Sequence, residues 1–461
     1  MNRKTAAIWY ITSFAGLGIV IWLVFTLGKQ LESSSNIQLP ESISEASLLQ
    51  VVAEAIKHPL AIFILQLILI IVASQLCARL FKKIGQPSVM GEILAGILLG
   101  PSLMGALLPQ FSSFVFPPSS LINLQMLSQV GLILFMFVIG IELDLRLLKQ
   151  KARAAIFISY FSIIFPFCLG IGLSYFLYER FAPHQIPFYA FSLFTGIAMS
   201  ITAFPVLARI IRERGLNGTK LGIIAITAAA SGDVAAWCIL AFIIAIVNAG
   251  SISSSLYTII EVAAYVCVML LVVRPLLKKL ALPAEGSTVM KRSSMAIIFV
   301  TLLASSYCCE VIGIHALFGA FLAGAVMPEE WNFRKLLIDK IEDVALVLLP
   351  LFFVFTGLRT QIGLLDDPSL WLTCSLIILV AVTGKFGGSA IAARITGESM
   401  KDSLSIGALM NTRGLVELVV LNIGYDLHIL TPRIFTMMVI MALVTTFMTN
   451  PAINLINRIY K

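Results

Sequence analysis

Four ionisable side chains in this sequence stand inside apolar runs, where water would not reach them. Asp233 lies near the middle of the run 218–247, Lys385 near the middle of 368–396, and Arg413 and Glu417 within 403–424. A charge at the centre of a bilayer-length helix costs about 2.5–3.5 kcal/mol even on the most lenient insertion scale, so such residues are the first candidates for function. Asp233 is the sharpest of them. Its surroundings, Thr227-Ala-Ala-Ala-Ser-Gly-Asp-Val-Ala-Ala-Trp237, are small residues that permit close helix approach and access for water. A carboxylate there can load and release a proton. Its oxygens also suit Na⁺ or K⁺, hard cations that prefer oxygen ligands. Asp233 is therefore the candidate site for both a proton and a monovalent metal ion, with Ser231 as a supporting hydroxyl. The competing reading is a carboxylate satisfied by neighbouring hydroxyls or a lysine, acting as helix glue.

Two further runs carry polar islands. In Met199-Ser-Ile-Thr-Ala-Phe-Pro-Val-Leu-Ala-Arg209, Pro205 sits mid-span and has no N–H, so the carbonyl of Ile201 loses its helical partner. That carbonyl, with the Ser200 and Thr202 hydroxyls, can coordinate a cation; the alternative is a simple kink. In Asn411-Thr-Arg-Gly-Leu-Val-Glu417, Asn411, Thr412, Arg413 and Glu417 interrupt a second span. Arg413 and Glu417 are spaced i,i+4, which also fits an intrahelical ion pair that neutralises two buried charges. Broken helices facing each other would place partial charges of both signs at the bilayer centre. Lys385, in Val382-Thr-Gly-Lys-Phe-Gly-Gly388, needs a carboxylate partner, and the expectation is Asp233 in the cation-free state. Glu92 is either a vestibule charge or an end-of-helix acid.

The elements that must hold these groups follow from composition. Of 461 residues, 59% are hydrophobic and 12% charged, whereas an ordinary globular domain is about 25% charged. Such a chain cannot cover a soluble particle of its size with polar surface, which excludes a cytosolic enzyme, a disordered chain and a disulfide-stapled module. The seven cysteines fall in apolar stretches without a CxxC or zinc spacing, and the four histidines form no metal motif. No cofactor is expected. The net charge of +8 is placed in loops rather than in a nucleic-acid surface, so the expected surroundings are the lipid bilayer.

Apolar runs at 6–27, 58–79, 88–106, 123–142, 154–176, 187–211, 218–247, 257–277, 294–311, 314–327, 341–358, 368–396, 403–424 and 431–455 predict an all-α polytopic membrane protein of about fourteen helices. The first run, preceded by Arg3 and Lys4, reads as a retained helix rather than a cleaved leader. With the N-terminus inside and the loops alternating, 25 of the 32 Lys and Arg residues fall on the inner side and five on the outer. This asymmetry orients both termini to the cytoplasm. Phe135-Met-Phe-Val-Ile-Gly-Ile-Glu-Leu-Asp-Leu resembles Phe352-Phe-Val-Phe-Thr-Gly-Leu-Arg-Thr-Gln-Ile. The match suggests two inverted six-helix repeats, 58–247 and 294–455, around a linker helix at 257–277. The domain reading is an N-terminal helix and external segment over 1–57, then a transmembrane domain over 58–461, with no soluble regulatory domain.

With these residues in view, the chain resembles the cation:proton antiporter superfamily in its sodium/hydrogen-exchanger-like branch. It is particularly similar to plant and fungal cation/proton exchangers and their bacterial relatives. The resemblance is carried by Gln86-Pro-Ser-Val-Met-Gly-Glu-Ile-Leu-Ala-Gly-Ile-Leu-Leu-Gly-Pro-Ser102, Ser200-Ile-Thr-Ala-Phe-Pro-Val-Leu-Ala-Arg209, Leu349-Pro-Leu-Phe-Phe-Val-Phe-Thr-Gly-Leu-Arg359 and Met410-Asn-Thr-Arg-Gly-Leu-Val-Glu-Leu418. It implies a homodimer with a mobile core that moves in an elevator-like alternating-access cycle, in a bacterial inner membrane. It implies that two partly unwound helices cross around Thr202 and Thr412, that Asp233 is the ion-binding carboxylate, and that Lys385 is the family's core lysine. One departure is plain: the position before Asp233, an Asp or Asn in the family, is Gly232 here.

The function expected is secondary antiport of K⁺ or Na⁺ against protons at a shared carboxylate, electroneutral, with no enzymatic activity. In the version that uses Lys385, the arriving cation displaces its ammonium from Asp233 and the lysine gives up the proton. Rival readings are a different solute on the same fold, or a cation channel. An intramembrane aspartyl protease is disfavoured: Ala230 stands where a GxGD motif needs glycine, and no second mid-membrane Asp exists to share a proton.

Overall fold

The computed structural model describes residues 16–27, 55–142, 152–216, 219–249, 252–280, 292–328 and 330–460, and every regular element among them is helical. The chain divides at Ala61 into two units. The first contains α1 (Gly16–Leu27), apolar along its length. Most of the external segment expected over 28–57, together with Arg3 and Lys4, lies outside the described residues. So do 143–151 and 281–291, which hold several of the loop cations used above.

The remaining helices of eight residues or more run in order: α2 (Pro59–Lys83), α3 (Ser88–Leu99), α4 (Pro118–Glu142), α5 (Ala152–Phe181), α6 (Phe188–Ser200), α7 (Phe204–Glu213) and α8 (Lys220–Ala249), with two shorter ones (Met104–Leu107 and Pro109–Val115) between α3 and α4. After them α9 (Ile252–Val268) continues through a π turn, Met269–Val273, into Arg274–Leu280. Then follow α10 (Arg292–Ile312), α11 (Ala316–Ala325), α12 (Trp331–Arg359), α13 (Pro368–Val382), α14 (Gly388–Ile395), α15 (Met400–Met410), α16 (Leu415–Asp426) and α17 (Pro432–Ile459). A second π turn, Thr383–Gly387, joins α13 to α14 and carries Lys385.

Ten of the described helical stretches are long and apolar enough to cross a membrane. The runs at 187–211 and 403–424 fall short because each is split into two half-helices, and α11 is only ten residues long. The run at 88–106 is broken as a helix after Leu99, because Pro101 cannot donate to the preceding turn, and resumes as a short helix at Met104–Leu107, the two pieces together forming one of the ten stretches. In the other direction, α12 starts ten residues before its apolar run. Residues 331–340 of α12 include Arg334, Lys335, Asp339 and Lys340, so a polar helical stem extends the span beyond the apolar stretch.

Close helix contacts are made where side chains are absent. A Cβ on Gly357 of α12 would lie 2.6 Å from the Cα of Gly96 on α3, and one on Gly96 would lie 2.8 Å from the Cα of Gly357. Gly140 of α4 and Gly324 of α11 meet in the same reciprocal way, with a Cβ on Gly140 coming within 3.0 Å of the Gly324 Cα. Gly140 and Gly357 are the glycines that align in the internal match. Around them, Phe137, Phe191, Phe194, Phe353 and Phe435 fill the core with almost no exposure.

Gly96→Leu should therefore abolish a monodisperse peak in detergent size-exclusion chromatography, since the obstruction is backbone and cannot swing aside; overpacking of softer sites already costs about 1–3 kcal/mol. Gly172→Ala, where an added Cβ meets nothing within 4 Å, should leave that peak unchanged.

Candidate functional site

The sequence placed the break of the first island at Pro205. In the structure the interruption comes before it, at Ile201, Thr202 and Ala203. Ile201 is extended (φ −72°, ψ 139°), and Pro205 is the second residue of α7. There its missing N–H removes no hydrogen bond, because the first N–H groups of a helix have no partner within it. The side chain of Pro205 lies outside what the structure describes. The second interruption spans Asn411, Thr412, Arg413 and Gly414, between α15 and α16. The two extended pieces cross, and the N–H of Ala203 donates to the carbonyl of Thr412 at 3.1 Å. The Thr202 hydroxyl reaches the Met410 carbonyl at 3.5 Å, and the Thr412 and Thr449 hydroxyls lie 3.2 Å apart. Four helix ends, two of each polarity, are brought together in this way.

Three of these ends are met by a charge, and the fourth, the Met410 end of α15, by the Thr202 hydroxyl. Arg413 is fully buried, and its Nη1 and Nη2 donate to the carbonyls of Ala198 (3.1 Å) and Met199 (2.6 Å), the last turn of α6. Lys385, equally buried, donates to the next carbonyl, that of Ser200. Three successive orphan carbonyls at the negative end of α6 are thus capped by two cations. Glu417, in the first turn of α16, stands at a positive end, with its Oε2 at 3.1 Å from Nη1 of Arg413. Both side chains are 0% exposed, and the pair is electrostatic without hydrogen-bond alignment. It is not an intrahelical pair: Arg413 belongs to the interruption, and only Glu417 is helical. Thr446 of α17 holds the Arg413 backbone from both sides, accepting from its N–H at 3.2 Å and donating to its carbonyl at 2.7 Å.

Asp233 is the exception. It lies within α8, 3% exposed, and faces the backbone N–H of Phe204 at the positive end of α7. Neither of its oxygens has a hydrogen-bond partner. The expected ion pair with Lys385 is absent. The ammonium donates instead to the Ser162 carbonyl of α5 at 2.9 Å and the Ser162 hydroxyl at 3.4 Å, besides the Ser200 carbonyl. The Ser200 hydroxyl turns back on its own helix to the Gly196 carbonyl at 2.7 Å. That of Ser231 does likewise towards Thr227 (2.9 Å) and Ala228 (3.1 Å). Both hydroxyl oxygens keep lone pairs, but neither touches Asp233. The Asn411 Oδ1 is buried without a partner. Sequence reasoning missed Ser162, Thr446 and Thr449; the signal available for Ser162 was Pro166, a mid-span proline four residues later.

At one end of the bundle a cavity of about 440 Å³ opens among Ile84, Gly85, Gln86, Ile210, Arg214, Asn450 and Asn454. At the other end Arg359 closes α12 onto α16, 2.8 Å from Asp426 and 3.0 Å from the Asn422 Oδ1.

Half-helices crossing at the middle of an all-helical membrane bundle, with a buried carboxylate beside the crossing, define a class: secondary transporters built on discontinuous helices. More specifically, the chain belongs to the sodium/hydrogen exchanger transmembrane family within the cation:proton antiporter superfamily, the family pattern matching residues 67–455. It is 41% identical over 398 residues to the Na(+)/H(+) antiporter NhaS4 of Synechocystis, covering 86% of this chain and 97% of that one. It is 41% identical to Cation/H(+) antiporter 17 of Arabidopsis thaliana (86% and 48% covered) and 32% identical to K(+)/H(+) antiporter 1 of Saccharomyces cerevisiae (87% and 47%). The chain spans about half the length of those plant and yeast relatives. The sodium proton antiporter MjNhaP1 of Methanocaldococcus jannaschii has the same fold, with a TM-score of 0.63 at 16% identity over 86% of this chain and 96% of that one.

Arg413→Met should lower the detergent melting temperature sharply, because stranding one partner of a buried ion pair costs about 3–5 kcal/mol. The double variant Arg413→Met/Glu417→Met should regain only part of the loss, since the carbonyls of Ala198 and Met199 stay uncapped. Full recovery would mean that the helix end does not depend on Arg413.

Proposed function

We propose that this protein exchanges a monovalent cation, K⁺ or Na⁺, for protons at Asp233 by alternating access. The observation that carries the reading is the Asp233 carboxylate, buried with both oxygens unbonded at a helix N-terminus. A bare carboxylate in that position is too costly to persist, so it holds either a proton or a cation. Two ions that compete for one carboxylate are exchanged, provided the empty site reorients poorly. The names of the relatives, Na(+)/H(+) and K(+)/H(+) antiporters, support the same pair of substrates. The other buried charges are already committed. Arg413 pairs with Glu417, and Lys385 is held by carbonyls, so one negative charge is left to trade one cation for one proton. This makes the cycle electroneutral, with Asp233 rather than Lys385 releasing the proton.

The wider architecture we propose is fourteen transmembrane helices: α1, then two inverted six-helix repeats joined by the helix of α9. The reciprocal glycine contacts support it, since Gly96 on Gly357 and Gly324 on Gly140 exchange roles between the repeats. The 25-to-5 division of Lys and Arg supports cytoplasmic termini in a bacterial inner membrane. The family supports a homodimer whose core moves against it. A wide cavity at one end and the Arg359–Asp426 contact at the other fit one of the two alternating states.

Everted membrane vesicles with a pH-sensitive dye test the substrate directly. Na⁺, K⁺ and Li⁺ are added in turn; the unaltered protein should dissipate the pH gradient with at least one of them. Asp233→Asn should abolish the response while the folded yield is kept. Full activity in Asp233→Asn would remove the shared site. Stoichiometry is read in liposomes clamped at zero and at about −100 mV, where one net charge per cycle would gain or lose about 2.3 kcal/mol of driving force. Equal initial rates are expected; a rate that follows the potential would overturn electroneutrality.

A further inference from the structure

Lys385 has no carboxylate, yet it is completely buried. What holds it is main chain, and the reason lies one helix away. Pro166 is inside α5. With no N–H, it cannot bond the carbonyl four residues earlier, and its ring tilts the preceding turn. That carbonyl is Ser162, the one that accepts from the Lys385 ammonium at 2.9 Å. The π turn around Lys385 is laid directly on the proline: a Cβ on Gly384 would lie 2.9 Å from the Pro166 Cα and 3.0 Å from its Cβ. Widening one turn to a π geometry re-aims a single side chain, here Lys385.

We infer that Pro166 is a positioning residue for Lys385: it exposes the Ser162 carbonyl as one half of a main-chain socket, the Ser200 carbonyl being the other. The socket does what a side-chain acceptor at position 232 would otherwise do. Gly232 supplies none, and a Cβ there would face the same helix, tight against the Ser159 Oγ at 3.3 Å and 4.0 Å from the Ile163 Cδ1. Anchoring the ammonium on α5 and α6 keeps it off Asp233, whose oxygens stay open. Lys385 thereby balances the negative end of α6 without competing with the transported ion. This consequence for transport rests on the exchange reading at Asp233; the socket itself does not.

Pro166→Ala tests the inference, and because alanine favours a helix it should not harm folding. The restored N–H closes α5 onto the Ser162 carbonyl and releases the lysine towards Asp233. In vesicles, the half-saturating cation concentration should rise about tenfold, because an internal cation now competes, while the maximal rate stays within about twofold. Adding Gly232→Asn to Pro166→Ala gives the ammonium a side-chain acceptor on the side facing α5, with the Ser159 hydroxyl turning aside, and should restore most of the affinity, a rescue that a merely structural role for Pro166 would not produce. Cation-free cryo-electron microscopy structures of the unaltered protein and of Pro166→Ala provide a readout independent of transport. They should place Nζ on the Ser162 carbonyl in the first and away from it in the second. Nζ on Asp233 in the unaltered protein, or an unchanged half-saturating concentration in Pro166→Ala, would overturn the inference. If the unaltered protein moves no cation at all, the exchange reading falls, and the two structures still decide the socket.

Discussion

Lipid offers no hydrogen bonds, so a helix that stops inside a bilayer must have its end satisfied by protein. Two helices stop in the middle of this bundle, and the placement of nearly every buried charge follows from that constraint. The hydrogen bond from the Ala203 N–H to the Thr412 carbonyl ties the interruptions to each other. The exposed carbonyls of α6 then draw Arg413 and Lys385, and the positive starts of α16 and α7 draw Glu417 and Asp233. The charges compensate the interruptions, and the interruptions compensate the charges.

The compensation is unequal, and the inequality gives the site its chemistry. Arg413 has two carbonyls and a carboxylate; Lys385 has two carbonyls and a hydroxyl. Asp233 has only the field of a helix terminus and no bonded partner. A binding site that must be emptied in every cycle cannot be built from a fully satisfied group. Leaving one carboxylate without a cationic partner, while Glu417 has Arg413, confines the exchange to a single position.

The crossing is held in a frame of very close helix contacts. Gly96 on Gly357 and Gly140 on Gly324 bring backbones together where any side chain would separate them. Small residues serve this purpose in membranes, where packing rather than hydrophobic exclusion drives helices together. The same economy appears at Gly384, whose lack of a side chain lets the π turn rest on Pro166.

The apolar runs were readable from the linear sequence, because hydropathy is a local property summed over a span. So were the positions that matter: a charge inside an apolar run is conspicuous whatever surrounds it, and Asp233, Lys385, Arg413 and Glu417 were all found in that way. Thr202 and Thr412 could be placed near breaks because polar islands and Pro205 interrupt the runs. The tertiary structure decided the rest. It put the first break at Ile201–Ala203 rather than at the proline, since a proline is most easily placed where a helix begins. It extended α12 through a polar stem that hydropathy does not register. Above all it chose the partners. Lys385 is held by the carbonyls of Ser162 and Ser200, and Arg413 by those of Ala198 and Met199. Carbonyls are common to every residue, so no side-chain identity announces them, and only the crossing of helices distant in sequence shows which ones are free.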